Sequence, residues 1–455
     1  MVSSMGAVGH LFFCGIGGSG MMPLALIAKG FGYHVSGSDR TWDQGLLPEK
    51  FQWLRAQGIE LFPQDGSGIT NGVSRLIVST AVEDHIPDIK AAGTHGVPIT
   101  NRSELLAEFF NQAPVKIAIA GTSGKTTVTG MTGYLLKMLG KDPVVMNGGI
   151  FKNFAADNPY CTALTGRGDI FVTESDESDG SISRYHPDIA VVNNIALDHK
   201  PLPELLELFG GFIARAKRVV LNLDNAYCRD FAADNPAKTV TFSLSNPAAD
   251  LCAATLDMRL SVIGDHNVSN ALAALGVAKC LGLDLQEALE VLRGFQGIKR
   301  RLDVLGTAHG ITVIDDFGHN PDKISASLAA VKKFYAGRRI QVFFQPHGFA
   351  LLRQLHRELA EVFCQGLSGD DRLYLVDPYY AGGTADRSVT SADMIADMGA
   401  AGRRAVLCEN RDDVKQQILH TRKSGDVVVV MGARDDTLSQ FAAELYHLIG
   451  AGLEG

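Results

Sequence analysis

Short, continuous apolar runs recur along the whole chain. HLFFCG, RLIVST, VKIAIAG, DIFVTE, IAVVNN, RVVLN, ITVIDD, IQVFF, RLYLV and DVVVVMG mostly lack the apolar–polar alternation of a half-exposed strand. Runs of this kind suit strands of a mainly parallel sheet covered on both faces. Between them lie stretches with helical spacing of apolar positions: GMMPLALIAKG, GKTTVTGMTGYLLKMLG, SNALAALGVAKCLG and PDKISASLAAVKKF. Strand and helix patterns alternate to the end, which predicts an α/β, doubly wound fold in several domains.

Length and composition narrow this picture. At roughly 100–200 residues per domain, a chain of this length holds two to four domains. With 46% hydrophobic and 20% charged residues it has globular composition, which excludes general disorder. The net charge is −8, and no basic run exceeds Lys299-Arg300-Arg301. Nucleic acid is therefore not an expected partner, whereas a small anion can still bind through local N–H groups and one or two cations. The seven cysteines are scattered, odd in number and never in C-x-x-C spacing. That argues against a disulfide framework or a cysteine zinc site and fits a reducing compartment. The N-terminus lacks a basic segment, and no apolar run reaches the ~20 residues of a membrane span. A cytoplasmic protein, with no membrane association, is expected.

Two glycine-rich loops carry the first chemistry. Gly15-Ile16-Gly17-Gly18-Ser19-Gly20 follows the strand HLFFC and precedes a helix, where backbone N–H groups favour a diphosphate. Asp39 closes the next strand at the spacing of an acidic residue that meets a ribose hydroxyl. NAD(P) and a nucleotide-diphosphate sugar both fit this segment. The second loop is Gly121-Thr122-Ser123-Gly124-Lys125-Thr126-Thr127, after the strand KIAIA. Ile119 stands where the full phosphate-loop pattern has its first glycine. The working parts remain: two glycines for a phosphate nest, Lys125 for the β- and γ-phosphates, and Thr126 for Mg²⁺. ATP is the expected co-substrate.

The strand DIFVT ends in Glu174-Ser175-Asp176-Glu177-Ser178-Asp179. Four carboxylates this close need solvent or cations. Ligands gather at the carboxyl ends of such strands, so Glu174, the first after the strand, is the expected Mg²⁺ ligand. His199 follows the buried strand IAVVNN at the same edge, as a second metal or phosphate contact.

Taken together, G-x-G-G-x-G-M near the N-terminus, G-T-x-G-K-T-T at 121–127, E-x-D-E-S-D at 174–179, N-I-x-x-D-H at 194–199, H-N-x-x-N-A at 266–271, G-x-K-R-R at 297–301 and D-D-x-x-H at 315–319 resemble the Mur ligases of peptidoglycan synthesis. The motifs stand in that family's order and span essentially the whole chain.

The resemblance implies a Rossmann-like N-terminal domain over 1–112 for the UDP-sugar, a P-loop ATPase-type domain over 113–298, and a Rossmann-like C-terminal domain over 299–455 for the amine. It implies ATP-dependent phosphorylation of the carboxylate of a UDP-N-acetylmuramate-type substrate, then attack of an amine on the acyl phosphate. Gly15, Gly17, Gly18, Gly20, Asp39, Ser79 and Thr80 would bind the UDP-sugar. Gly121, Thr122, Ser123, Gly124, Lys125, Thr126, Thr127, Asn270, Arg301, Asp315 and Asp316 would bind ATP. Thr126, Glu174 and His199 would hold Mg²⁺. His319, Asn320, His347 and Arg353 would face the amine. Lys125, Glu174, His199, Arg301 and His319 would carry catalysis, in a monomer or homodimer whose domains close on the substrates.

The chain departs from the family pattern in one region. The alanine-adding branch shows D-D-Y-A-H-H-P, here Asp315-Asp316-Phe317-Gly318-His319-Asn320-Pro321. It also shows Q-P-H-R-Y-x-R, here Gln345-Pro346-His347-Gly348-Phe349-Ala350-Leu351. Both arginines expected to grip the amino acid's carboxylate are missing, and Arg353 lies two positions late. Ser123 replaces a usual histidine. The amine is therefore open between an L-alanine-type amino acid and a murein peptide added by a recycling branch. A nicotinamide dehydrogenase would account for the first loop alone. A non-catalytic binding protein would have no need to keep Lys125, Thr126, Glu174 and His199.

Overall fold

In the computed structural model, every one of the ten apolar runs forms a strand. The structure describes residues 9–79, 82–83, 85–196, 200–378, 386–399, 405–433, 435 and 437–451. The strands among these described residues fall into three sheets, and the two compact units of the chain divide them. One unit comprises residues up to Ser261 together with Asn267–Gly297; the other comprises Val262–His266 and the chain from Ile298 onward.

The first sheet has five parallel strands in the spatial order Glu60–Phe62, His34–Ser38, His10–Cys14, Arg75–Val78, Ile99–Asn101. Its central strand sends successive side chains to opposite faces. Leu11 and Phe13 enter one core, Phe12 and Cys14 another, and all four are fully buried. Burial on both faces is why this run reads as continuous rather than alternating.

The second sheet runs Leu251–Cys252, Thr239–Ser243, Arg218–Asn222, Ile189–Val192, Val115–Ala120, Ile170–Glu174, Val144–Met146, Ala163–Thr165. Only the last pair is antiparallel. The two sheets share one apolar core. Phe110 meets Phe171 and Tyr185 edge-on, with ring centroids 5.7 and 5.2 Å apart, and Phe31 packs on both Phe109 and Phe171.

The second unit holds a six-stranded sheet in the order Asp303–Ala308, Ile311–Asp316, Val427–Gly432, Ile340–Gln345, Arg372–Leu375, Ala405–Leu407. Its first pair is antiparallel and the rest are parallel. The run of valines at 427–430 alternates between two cores, Val427 and Val429 on one face and Val428 and Val430 on the other. Among the described residues no helix is long and apolar enough to cross a membrane.

Candidate active site

The strand Val115–Ala120 lies between Ile189–Val192 and Ile170–Glu174, and its carboxyl end opens into the phosphate loop. Ile119 is still part of that strand and fully buried. The chain therefore turns only at Gly121, and no glycine is needed two positions earlier. Gly121 has φ +134° and Gly124 φ +85°, values open to glycine alone at low cost. A Cβ on Gly124 would stand 2.4 Å from Asn193 Nδ2 and 2.7 Å from Asn270 Oδ1.

Asn194 braces the loop. Its side-chain Oδ1 accepts from Thr122 Oγ1 at 2.8 Å and Ser123 N at 2.9 Å, and its Nδ2 donates to Ser123 O at 3.0 Å. Asn193 Nδ2 donates to Ser123 O and to Asn270 Oδ1. The helix Lys125–Met138 begins here without a side-chain cap, so its first-turn N–H groups face the loop mouth.

Three charged groups meet at that mouth. Lys125 Nζ donates to Gly121 O at 2.9 Å and to Glu177 Oε2 at 2.7 Å, with Asp176 at 3.8 Å. Burial alone would lower the pKa of this ammonium. Glu177, Asp176 and Glu174 outweigh it and hold the value above that of an ordinary lysine. Burial works against the charge of Asp176 too, but Lys125 and the Ser178 N–H keep its pKa low. Beside them Thr126 Oγ1 donates to Glu174 Oε2 at 3.0 Å, and Gly148 N donates to Glu174 Oε1 at 2.5 Å. The donors aimed here are hard oxygens, which suits Mg²⁺ completed by phosphate oxygens rather than an all-protein cage.

In the first sheet the glycine loop is folded on itself. Gly15 and Ile16 donate to Ser38 O, and Gly17 N donates to Asp39 Oδ2 at 2.8 Å. Asp39 also caps the short helix Arg40–Asp43 through Thr41 N. Its carboxylate thus shapes the loop from inside. A Cβ on Gly17 would come within 2.9 Å of Asp39 and Phe51. Arg102 lies over Gly20, its side chain 3.1–3.3 Å from where a Cβ there would stand, and its charge also reaches Asp176. Ser79 is half-buried just past the strand Arg75–Val78, and Thr80 lies outside the described residues.

In the other unit, the strand Ile311–Asp316 delivers the turn that carries His319. Asp316 accepts from Leu302 N, Gly318 N and Ser327 Oγ, and so holds this turn. Asn320 caps the helix Pro321–Phe334 through Lys323 N. His319 Nδ1 donates to Phe317 O at 2.8 Å, which fixes the tautomer and leaves a lone pair on Nε2. Burial, then the neighbouring Lys323, push its pKa down to about 3, so the ring is neutral. His347 stacks edge-on to it at 5.1 Å, and Arg301 lies over the Phe317 ring at 4.6 Å. Arg353, on the helix Phe349–Gly366, is drawn to Asp386 at 2.5 Å.

Asp315 is 2% exposed, and burial pushes its pKa up to about 6 although Arg300 and Ser439 work against the rise. A raised folded-state value means stability that is full below the unfolded value of 3.8 and is lost as pH climbs through about 6. A rise of that size corresponds to roughly 3 kcal/mol. The Asp315→Asn variant is expected to lose this component, so the difference in thermal midpoint between parent and variant changes across that window. A constant difference would show that Asp315 does not titrate there.

The Mur ligase family catalytic domain matches residues 10–113, the Mur ligase middle domain 119–278, and the Mur ligase glutamate ligase domain 300–434. The chain belongs to the Mur ligase family. A curated relative, the UDP-N-acetylmuramate–L-alanine ligase of Desulforapulum autotrophicum, is 33% identical, covering 94% of this chain and 96% of that protein. The enzyme of the same name from Cereibacter sphaeroides is 34% identical over 97% of this chain and 96% of its own length. Among solved structures, the UDP-N-acetylmuramate-alanine ligase MurC of Thermotoga maritima superposes with a TM-score of 0.80 at 26% identity, covering 97% of this chain and 99% of that one. The murein peptide ligase of Psychrobacter arcticus shares the fold, with a TM-score of 0.70 at 22% identity and coverage of 98% and 100%.

In this Mur ligase, the structure gathers Gly121, Thr122, Ser123, Gly124, Lys125, Thr126, Glu174 and Asn270 around one loop mouth. Thr127 is buried on the first turn of the helix behind it. His199 lies outside the described residues. Glu177, Asn193, Asn194, Gly148 and Arg102 were given no role by sequence reasoning. Glu177 and Asn194 stand inside recognised motifs, which was the available signal. Gly148 and Arg102 carried none.

Proposed function

We propose that this Mur ligase joins the carboxylate of UDP-N-acetylmuramate to the amino group of L-alanine, using ATP. The supporting observation is that relatives named UDP-N-acetylmuramate–L-alanine ligase are matched from end to end, in a chain where Lys125, Thr126 and Glu174 stand together at one loop. On this reading, residues 1–112 hold the nucleotide sugar, 113–298 the ATP and 299–455 the amine.

A substrate carboxylate oxygen bonds to the γ-phosphorus of ATP as the bond to the β,γ-bridging oxygen breaks, and ADP leaves. The amine nitrogen then forms the C–N bond as the C–O bond to phosphate breaks, and one proton leaves the nitrogen. Lys125 sets its charge against the growing charge on the phosphoryl oxygens. Thr126, Glu174 and His199 are the proposed Mg²⁺ ligands, and the ion would supply further positive charge there. Asn194 and Asn193 keep the loop backbone in its cradle shape. The neutral His319 Nε2 offers a lone pair to an amine N–H. No covalent nucleophile is required of the protein, because the activated group is carried by the substrate itself.

The test is phosphate release from Mg²⁺-ATP with UDP-N-acetylmuramate fixed, against L-alanine, L-serine, glycine and the L-alanyl-γ-D-glutamyl-diaminopimelate tripeptide. Release that requires both the nucleotide sugar and L-alanine is the expected result. Release with the tripeptide alone, or with no amine in the panel, would overturn the assignment.

A further inference from the structure

Glu177 is the most deeply buried of the four carboxylates read as one acidic run. It is 2% exposed, and its partner is the phosphate-loop lysine at 2.7 Å. A solvated acidic turn does not look like this; burying a carboxylate is costly unless a cation faces it. Lys125 Nζ has three N–H donors. One goes to Gly121 O and one to Glu177, which leaves a single donor for a phosphate oxygen. A polyphosphate that engages Lys125 must therefore settle beside a fixed, buried negative charge. Asp176, 3.8 Å from the same ammonium, and Glu174, bonded to the neighbouring Thr126, add to the same field. Like charges at this range, in a medium less polar than water, repel appreciably. Neutralising the polyphosphate with a divalent cation removes most of that repulsion.

We propose that Glu177 is a positioning residue for Lys125 and the element that makes the phosphate loop select the Mg²⁺ complex of a nucleotide over the free nucleotide. Without nucleotide it holds the lysine against the loop mouth. With nucleotide it penalises entry of the uncomplexed tetra-anion. This rests on the reading of residues 121–127 as the ATP loop.

Equilibrium binding by calorimetry tests it, using the full chain with ATP in excess Mg²⁺ and with ATP in EDTA. The readout is the ratio of the two dissociation constants, which a merely structural role leaves unchanged. Glu177→Gln keeps the size and removes the charge. It is expected to tighten metal-free ATP binding by about tenfold and to shrink the ratio accordingly. Glu177→Asp keeps the charge but withdraws it by one methylene, and should shrink the ratio by roughly threefold. If the Gln variant does not fold, the Asp variant decides alone. An unchanged ratio in whichever variant folds would overturn the proposal. Failure of the parent chain to bind ATP in either buffer would overturn the ATP-loop reading itself, and this proposal with it.

Discussion

Replacing Lys125 with methionine is expected to lower kcat by about 10³-fold, the scale seen when one preorganised donor is removed from a developing charge. Methionine reproduces the four-atom apolar stem and omits only the ammonium, so the loss isolates that group. The change reaches further than one contact. Glu177, 2% exposed, would lose the cation it faces, and Asp176 would lose the charge that keeps its pKa low. Binding of the nucleotide sugar should survive, because the first glycine loop is held by Ser38 and Asp39 rather than by anything at Lys125. The check is a pair of measurements, single-turnover product formation and UDP-N-acetylmuramate affinity. A variant that keeps a tenth of parental turnover would show that Lys125 is not the principal cation. Arginine is not a gentle alternative, since its planar fork does not fit where a compact ammonium is held by Gly121 O and Glu177.

The second large effect concerns stability and lies far from the phosphate loop. Asp426, 2% exposed, accepts from Arg339 Nε at 2.9 Å and Nη2 at 2.6 Å, from Gln341 Nε2 at 2.7 Å and from Lys423 N at 2.8 Å. Arg339 is 14% exposed, and this carboxylate holds its pKa above the usual arginine value. Removing the carboxylate leaves a mostly buried guanidinium with only Thr421 O to accept from it, and the buried Gln341 amide without its acceptor. The Asp426→Ala variant is expected to destabilise the C-terminal unit by about 3–5 kcal/mol, the range for breaking one side of a buried pair. Urea unfolding followed by circular dichroism reads this directly. A cost below ~1 kcal/mol, the level of an exposed pair, would mean that water reaches Arg339. The double variant Asp426→Ala with Arg339→Met should recover much of the loss, because it no longer strands a charge.

Much of this architecture was legible because it is written locally. Runs such as IAVVNN and DVVVVMG are buried on both faces, so their pattern needs no knowledge of the partner strand. The shortest strands carry no such pattern. Leu251–Cys252 has two residues and Val144–Met146 three, and such segments become strands only because a neighbour pairs with them. The site divides in the same way. The glycines, Lys125 and Thr126 follow from spacing within seven residues. The bonds that finish the loop cross long stretches of chain: Ser123 to Asn194 across 71 residues, Lys125 to Glu177 across 52, and Gly148 to Glu174 across 26. Within the acidic run, order along the chain favoured Glu174 as the notable carboxylate. Burial singles out Glu177 as well, and burial cannot be read from a string of charges. The place of Asp39 at a strand end points to a ligand contact, but not to the bonds its oxygens accept from Gly17 N and Thr41 N, which only the folded chain shows.

The aromatic seam between the first two sheets bears on how such a chain can be cut or recombined. Phe31, Phe109 and Phe110 from one side and Phe171 and Tyr185 from the other are at most 6% exposed. Severing the polypeptide near residue 112 would bring that hydrocarbon into water on both fragments, with the solubility problems of any large exposed apolar patch. Residue 112 thus lies inside one compact unit and is not a joint. A shuffled or inherited N-terminal segment would have to arrive with its own matching half of the seam.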